Sequence, residues 1–408
     1  MQVWQRLFSG ALAWAVLIIL LLIAGARPAA AQSLTTQSFG DGADGDLIVG
    51  PGQTVYVNSV RAAVSGSAPA GQPLVPVAIA AGFVSGQEVL IIQMQGAGAG
   101  QYEFGMLQSI AGGLLTLTGN LANAYTAGGN ATAQVIGVPH YRNVTVQGAL
   151  TTQAWDGTAG GIIAFRASNT VDVGAGATIQ ANGLGFRGGN MPDTGWTSPG
   201  YNGESYSGPS TQSDLANGGG GAGGCDVQNQ GGSGGSYGTQ GTVGGGNQCA
   251  GRPQPGSEYG VPDLSTFYLG SGGGSAGGCC ADGGSGGGGI LIFAQGLTVS
   301  GSITSNGANG QDGSLGPPIN YAAGGAGSGG SIRLVAGTVG AASNSITAVG
   351  GNGGKAFSTY GGRYPVTGGD GGAGRIRIES CGASGATNPV ASFQQLNCDT
   401  TPPSIVIS

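Results

Sequence analysis

Charged side chains are scarce in this 408-residue sequence, and lysine is nearly absent. The chain carries 12 Lys and Arg against 18 Asp and Glu, a formal net charge of −6, and Lys355 is its only lysine. Proteins that bind nucleic acids release counterions from the phosphate backbone through clusters of basic side chains. No such cluster is present here, so the composition argues against nucleic acid as a partner.

Histidine is equally scarce. His140 is the only one, so a Ser-His-Asp or Cys-His catalytic site would have to be built on it. It lies just before a predicted strand, and we interpret it as a structural histidine with satisfied hydrogen bonds. Lys355 is followed by Ala356 and Phe357, so the Gly-Lys-Ser/Thr sequence of a phosphate-binding loop is missing.

Long apolar runs are confined to the N-terminus. A polar start that contains Arg6 precedes an apolar run from Ala11 to Ala26, and the small residues Ala29–Ala31 follow. This pattern predicts a signal peptide over residues 1–31. A membrane anchor is the alternative, but the run is shorter than the roughly 20 residues that a span needs. We expect a secreted or cell-surface protein with no transmembrane span after cleavage.

Glycine is in large excess, at 91 of 408 residues, where ordinary chains contain roughly 7%. Disordered chains combine low hydrophobicity with high net charge, whereas compact groups of Val, Ile and Leu recur between these glycines. The strict Gly-X-Y period of collagen is absent. The composition therefore predicts a folded chain.

One strand-like unit recurs four times, beginning at Gly161, Gly289, Gly330 and Gly374. Side chains alternate between the two faces of a β-strand. The third and fifth positions of each unit are large and apolar, and we predict that they face the core while the positions between them face solvent. These core positions are Ile163 and Phe165, Leu291 and Phe293, Ile332 and Leu334, and Ile376 and Ile378.

Three of the units match again further along the chain, around Ile179, Ile303 and Ile346. Each unit then resembles one coil of a parallel β-helix, and stacked coils bury one continuous apolar interior. We therefore predict an all-β fold, a parallel β-helix or solenoid. The predicted organisation is an all-β N-terminal cap region over residues 32–150, the glycine-rich solenoid over 151–380 with a large insertion at 184–288, and a disulfide-bearing C-terminal tail over 381–408.

Glycine-rich excursions leave the coil between the repeats. The longest is the insertion at 184–288, and shorter ones run from Gly307 to Gly329 and from Gly350 to Gly372. Flexible loops are one interpretation. The other is that the excursions pack as extended polyproline-II-like segments, because glycine lets backbones approach closely and pair with one another.

Six cysteines, an even number in a chain predicted to be exported, favour disulfide bonds. They are Cys225, Cys249, Cys279, Cys280, Cys381 and Cys398. Proximity suggests Cys381 with Cys398, but the sequence cannot choose among the pairings. Zinc is the alternative, although no nearby histidine and no paired Cys-x-x-Cys spacing accompany these residues.

Three closely spaced aspartates, Asp41, Asp44 and Asp46, lie among glycines near the start of the mature chain. Oxygen-rich loops with glycine turns suit calcium, but the tandem glycine-aspartate nonapeptides of calcium-binding β-rolls are absent. Capping of turns is the other role for these side chains. We expect no cofactor, with calcium at these aspartates as the alternative.

Several motifs together resemble a known family. They are the runs 39–47 and 89–96, the Ala-Trp-Asp-Gly at 154–157, the run 183–189, and the Gly-Gly-Ala-Gly-Arg-Ile-Arg-Ile at 371–378. Their order resembles exported glycine-rich β-solenoid proteins of environmental bacteria, some of which are labelled adventurous gliding motility proteins. The resemblance covers nearly the whole mature chain. It implies a surface role and assigns no catalytic residues.

Two functional classes follow. The first is a structural or adhesive surface protein whose low-charge excursions present aromatic rings to extracellular glycans, surfaces or other surface proteins. The candidate contact residues are Tyr201, Tyr206, Tyr237, Tyr259, Tyr321, Tyr360 and Tyr364, with Phe267 and Tyr268 beside them. Packing between glycine-rich segments is the alternative role of these rings.

The second class is a polysaccharide-active lyase or glycosidase. Hydrolysis of a glycosidic bond would need two carboxylates that face one groove. The candidates in or beside the repeats are Asp156, Asp172, Asp282, Asp312 and Asp370. No two of them recur on one predicted strand face, so we expect a protein that is not an enzyme.

Overall fold

The computed structural model describes residues 39–190, 199–225, 230–246, 253–278, 281–313, 322–356 and 366–396. The described residues up to Gln395 belong to one compact unit, Thr35–Gln395. They form strands and extended segments. Among them there is no helix of the length and hydropathy that a membrane span requires. The predicted signal peptide and the end of the predicted tail, from residue 397 onward, lie outside the described residues.

The strands account for the regular part of the fold. In chain order they are β1 (Leu47–Val49), β2 (Thr54–Tyr56), β3 (Arg61–Ala63), β4 (Leu74–Pro76), β5 (Glu88–Gln95), β6 (Tyr102–Ala111), β7 (Leu114–Leu117), β8 (Thr132–Val138), β9 (His140–Tyr141), β10 (Val144–Val146), β11 (Ala149–Thr151), β12 (Ile162–Val173), β13 (Thr178–Gln180), β14 (Gly289–Val299), β15 (Ser302–Thr304), β16 (Ser331–Ala341), β17 (Ile346–Thr347), β18 (Arg375–Ser384), β19 (Thr387–Asn388) and β20 (Ser392–Gln395).

Two parallel sheets confirm the predicted solenoid. One has the order β1-β10-β12-β14-β16-β18-β20, with β9 also paired to β12, and the other has the order β19-β17-β15-β13-β11-β2. Neighbouring strands come from successive coils of the chain, which is the arrangement of a parallel β-helix. The first coil contains β1 and β2, so the solenoid begins at Leu47 and the predicted boundary at residue 151 is wrong.

The solenoid interior is a ladder of aliphatic side chains. Ile179 pairs in register with Ile303, and Ile303 pairs with Ile346. All three are fully buried in one core cluster, as the repeat predicts. Burial of each such side chain contributes roughly 1.5–3 kcal/mol, so the stacking of coils supplies the apolar core that one coil lacks.

One repeat is shifted by one residue from its predicted register. Phe165 pairs with Ile292, so Ile290 and Ile292 lie in the core. Leu291 and Phe293, which we predicted inside, face outward. A slip of one residue exchanges the two faces of a strand, and the four consecutive apolar residues of this unit are compatible with either register.

An antiparallel sheet covers part of the outer face of the solenoid. Its order is β3-β8-β5-β6-β7-β4, and it has its own apolar core around Ile91, Leu115 and Val135. The Phe104 ring on β6 meets the outward Phe293 ring of the solenoid edge to face, with centroids 5.5 Å apart. The outer strand face is therefore partly a packing surface, not only the solvent-exposed face that we predicted.

The glycine-rich excursions run out and back as extended segments joined by backbone hydrogen bonds. We call this body the glycine lattice. Its segments are 184–189, 200–204, 219–224, 230–238, 239–245, 253–259, 270–277, 281–288, 305–313, 322–330, 348–355 and 366–374.

The central segment 322–330 shows how the lattice is built. The amides of Gly324, Gly325 and Ala326 donate to three different segments, over 2.9, 2.8 and 2.9 Å, and the next three residues repeat the order. The carbonyls of the segment accept from three further segments, so it has six neighbours. A polyproline-II turn contains three residues, which explains why the donor direction rotates with each residue. For the described segments of the excursions, the packed interpretation is confirmed and the interpretation as flexible loops is wrong.

Close approach of the backbones is what requires glycine here. A Cβ on Gly324 would lie under 3.0 Å from the carbonyl oxygen of Asp282, and a Cβ on Gly327 would lie as close to that of Ser285. Neither glycine has a positive φ. The requirement is therefore for space between neighbouring chains and not for an unusual backbone conformation.

A methyl group inside the lattice should therefore cost stability. We expect Gly327→Ala to lower the free energy of unfolding by about 1–3 kcal/mol, as overpacking of a tight interior does. Gly340→Ala is the matched control, because no heavy atom lies within 4 Å of its Cβ position. Denaturant unfolding of both variants measures the difference, and equal midpoints would contradict the lattice packing.

Candidate functional site

A groove opens on the surface of the glycine lattice, with a volume of about 560 Å³. Typical ligand pockets occupy about 300–1,000 Å³. We call it the lattice groove. It is lined by Arg187, Gly188, Gly189, Asn190, Tyr201, Pro209, Ser210, Asp282, Gly283 and Ser285. Five of its ten lining residues carry charged or amide or hydroxyl side chains, and the others are one tyrosine, one proline and three glycines.

A buried carboxylate positions the arginine at the edge of this groove. Glu204 is almost completely buried, while half of the Arg187 side chain is exposed. Arg187 Nε donates to Glu204 Oε2 over 2.9 Å, and the Arg187 amide donates to the same oxygen over 3.0 Å. The hydrogen bond to Glu204 raises the pKa of Arg187. The guanidinium group is thus fixed in place, and the local charges cancel.

Hydrogen bonds within the lattice also hold the backbone of two other lining residues, Tyr201 and Asp282. The Tyr201 amide donates to Ser275 Oγ over 2.7 Å, and the Ser275 amide donates back to the Tyr201 carbonyl over 2.8 Å. The Asp282 amide donates to Gln311 Oε1 over 2.8 Å. Because the backbone at Arg187, Tyr201 and Asp282 is already held by hydrogen bonds, a ligand would lose little free energy to ordering of that part of the site.

The carboxylate content of the groove bears on the enzyme hypothesis. Among the described lining residues, Asp282 is the one carboxylate. The other candidates cap backbone amides: Asp156 accepts from Thr158 N over 2.7 Å, Asp312 from Lys355 N over 2.6 Å, and Asp370 from Gly353 N over 2.7 Å. A fifth, Asp172, lies on β12. The described lining of the groove contains one carboxylate, where hydrolysis of a glycosidic bond needs two.

Most of the predicted contact tyrosines in the described residues belong to a packed cluster. Tyr237 is fully buried and Tyr259 is 9% exposed, with ring centroids 4.7 Å apart. Burial raises the pKa of both, and the Tyr259 hydroxyl donates to the Leu269 carbonyl over 2.8 Å. The prediction that Tyr237 and Tyr259 contact ligands is therefore wrong, because the lattice folds over them.

The remaining predicted contact residues divide by position. Tyr206 is half-buried against Tyr259 and Tyr268. Tyr201 reaches the lattice groove, and it is the predicted residue that the structure places at a candidate site. The other three, Tyr321, Tyr360 and Tyr364, lie outside the described residues.

Two of the six cysteines, Cys225 and Cys381, lie in the described residues. Neither Cys225 nor Cys381 is a free thiol. The other four, Cys249, Cys279, Cys280 and Cys398, lie outside the described residues, so the disulfide pairing stays a prediction.

Each of the three aspartates proposed for calcium accepts a hydrogen bond from a different protein donor. Asp41 accepts from Ala43 N over 3.0 Å, Asp44 accepts from the His140 amide over 2.6 Å, and Asp46 accepts from Arg142 Nε over 2.9 Å. The bond from Arg142 lowers the pKa of Asp46 to about 2. No group of three metal-ligating side chains forms anywhere in the described residues.

His140 links three parts of the fold, which the sequence could not reveal. Its Nε2 lies 2.9 Å from Glu88 Oε2 on β5, and its Nδ1 lies 3.2 Å from Asp41 Oδ1. Glu88 also accepts from Arg166 Nε on β12 over 2.6 Å. The guanidinium of Arg166 lies over the Phe104 ring, 4.9 Å from its centroid.

The titration of this cluster follows from its geometry. The hydrogen bond to Glu88 raises the pKa of His140. Burial opposes ionisation of Glu88, but the hydrogen bonds from His140 and Arg166 outweigh it and lower the pKa of Glu88. The histidine has partners on both ring nitrogens, in agreement with the structural role that we expected.

Comparison with known proteins finds only distant similarities to solved structures. No protein family and no curated protein matches the chain. Among solved structures it is similar to the tailspike gp61 of Pseudomonas phage phi297, at 11% identity over 84% of this chain and 46% of that one, with a TM-score of 0.18. It is also similar to the tailspike gp49 from Pseudomonas phage LKA1, at 10% identity over 87% and 69%, with a TM-score of 0.17.

A third solved structure is the Gp54 tailspike of Acinetobacter baumannii bacteriophage AP22, in complex with the capsular saccharide of that bacterium. The identity is 9% over 82% of this chain and 59% of that one, with a TM-score of 0.18. The chain spans less than half the length of the first of these tailspikes. Similarity at this level carries no argument about what this chain binds.

The cluster around His140 should make stability depend on pH. The contribution of His140 to the free energy of unfolding is complete below the ordinary histidine pKa of about 6.5. It is lost as the pH rises through the raised pKa of His140 in the folded state. The contribution of Glu88 has the opposite sense, because its pKa is lowered: it is present above about pH 4.3 and is lost as the pH falls through the folded value.

We therefore expect the free energy of unfolding to decline above about pH 6.5, and His140→Gln to remove that decline. Since His140 is the only histidine, denaturant unfolding between about pH 5 and 8 isolates its effect. The same decline in wild type and variant would contradict the assignment.

Proposed function

We propose that this is a secreted or cell-surface structural and adhesive protein that contacts glycans through the lattice groove. The observation that carries the proposal is the groove itself, where the polar side chains of Arg187 and Asn190 lie with the Tyr201 ring in a lining of mixed polar and apolar character. Sugars offer many hydroxyl groups and apolar ring faces. Polar side chains that fix orientation, together with an aromatic ring, suit such a ligand.

Electrostatics favours an uncharged ligand. The positive charge of Arg187 is matched by the buried Glu204, and Asp282 is the one carboxylate among the described lining residues. These described side chains sum to one negative charge, which disfavours an anionic ligand and gives no strong field for a cationic one. Hydrogen bonds and ring contact would have to supply the affinity.

The cellular setting rests on sequence features. The signal-peptide pattern at residues 1–31 and the even number of cysteines support export to an oxidising compartment. The resemblance to exported glycine-rich proteins supports a place at the cell surface. Within that setting we propose adhesion, including adhesion during gliding motility, as the role of the protein.

Purified mature protein should be retained by some members of a glycan array or by insoluble polysaccharides, without release of sugar. We expect Tyr201→Ala to weaken retention by about tenfold, the loss of roughly 1.4 kcal/mol of contact free energy. Tyr56→Ala is the matched control, because Tyr56 is a half-exposed tyrosine on β2 of the solenoid. Release of soluble sugar would favour the enzyme, and no retention would refute glycan contact.

A further inference from the structure

Two neighbouring lattice segments, 305–313 and 348–355, carry a row of outward polar side chains. Asn306 Oδ1 accepts the amide of Val349 over 3.0 Å, and Asn309 Oδ1 accepts the amide of Asn352 over 2.9 Å. Asp312 Oδ1 repeats the contact with Lys355 one turn later. The same bond therefore recurs at every third residue over three turns.

This contact orients the amides. Because Oδ1 of Asn306 and of Asn309 is held by a backbone amide, the Nδ2 group of each is turned away from that neighbour. The exposed Asn352 makes no side-chain hydrogen bond within the described residues. One turn of three residues advances about 9 Å, so Asn306 and Asn309 hold their amide groups about 9 Å apart along one segment, and Asn352 adds an exposed amide beside Asn309 on the next segment.

The row lies next to the lattice groove. The segment 281–288 supplies Asp282, Gly283 and Ser285 to the groove. The amide of Ala308 donates to the carbonyl of Ser285 over 2.8 Å, and the amide of Gln311 donates to that of Asp282 over 2.9 Å. The first segment of the row is therefore the direct neighbour of a groove segment, and the second follows it.

We infer that Asn306, Asn309 and Asn352, which we call the amide row, extend the groove into a surface for an uncharged polysaccharide chain lying along the lattice. This inference rests on the proposed function and specifies its ligand. Amides held about 9 Å apart at Asn306 and Asn309, with the exposed amide of Asn352 beside them, fit a polymer whose hydroxyl groups also recur at intervals. A short sugar could fill the groove but would not reach the row.

The chemistry of the row favours this occupant over a protein. Protein interfaces are built around an apolar, aromatic-rich centre, whereas the amide row consists of asparagines. At the far end of the row the Lys355 backbone amide donates to Asp312 Oδ1, so the row ends in one acidic and one basic residue and has no net formal charge. The row therefore offers hydrogen bonds without a net field, which suits a neutral polymer.

The test compares ligand length with row mutations in the full mature chain. The probes are cellulose, amylose and β-1,3-glucan, their oligosaccharides from the disaccharide upward, and alginate as a charged polymer. We expect the affinity for an uncharged glycan to increase with length. Asn352→Ala should weaken polymer binding by about 3–10-fold, as loss of one hydrogen bond does, and leave disaccharide binding unchanged.

Two controls separate this inference from the proposed function. Asn169→Ala removes an exposed asparagine on β12 and should change neither the polymer affinity nor the disaccharide affinity. Equal unfolding midpoints of Asn352→Ala and Asn169→Ala show that both variants fold. Affinity independent of length, a neutral Asn352→Ala, or a preference for alginate would overturn the amide row while groove binding stands. If wild type retains none of the probes, the proposed function fails and the inference fails with it.

Discussion

The structure depends on backbone hydrogen bonds between glycine segments. These segments approach one another closely because no Cβ atoms separate their backbones. A polyproline-II segment makes no hydrogen bonds within itself, and buried amides and carbonyls must be paired. In the glycine lattice the partners are other segments, as for 322–330 with its six neighbours. A single Cβ at Gly324 or Gly327 would occupy the place of a carbonyl oxygen. The glycine excess is therefore the condition for order here.

This arrangement separates stability from recognition. Most inward positions of the lattice are glycine or another small residue, with buried exceptions such as Glu204 and Tyr237, whereas outward positions carry larger polar side chains. Tyr201 in the lattice groove and Asn352 in the amide row exemplify side chains on lattice segments. Their side chains project from backbone that is already hydrogen-bonded, so a ligand meets a preorganised surface. The solenoid anchors the lattice through strands that continue directly into its segments.

The sequence predicted those features that repeat and missed those that depend on contacts distant in sequence. Ile179, Ile303 and Ile346 recur with the coil, and their stacking followed from that period. The slip that places Leu291 outside was hidden because its strand is apolar on both faces.

The start of the solenoid at Leu47 was obscured because the antiparallel sheet, strands β3 to β8, interrupts the coil. Burial of Tyr237 depends on how separate lattice segments meet, and the contact of His140 with Glu88 joins residues far apart in the chain. Spacing along the sequence contains no sign of either, so the contacts of Glu88 with His140 and Arg166 were missed and Tyr237 was misassigned.

Native-state hydrogen exchange tests the central claim most directly. If the glycine excursions form a hydrogen-bonded lattice, the amides of Gly324 to Gly329 should be protected to a degree comparable with the amides of the adjoining strand β16, since both open only when the core opens. Exchange of these glycine amides at the rate of an unstructured chain, while β16 stays protected, would contradict the account.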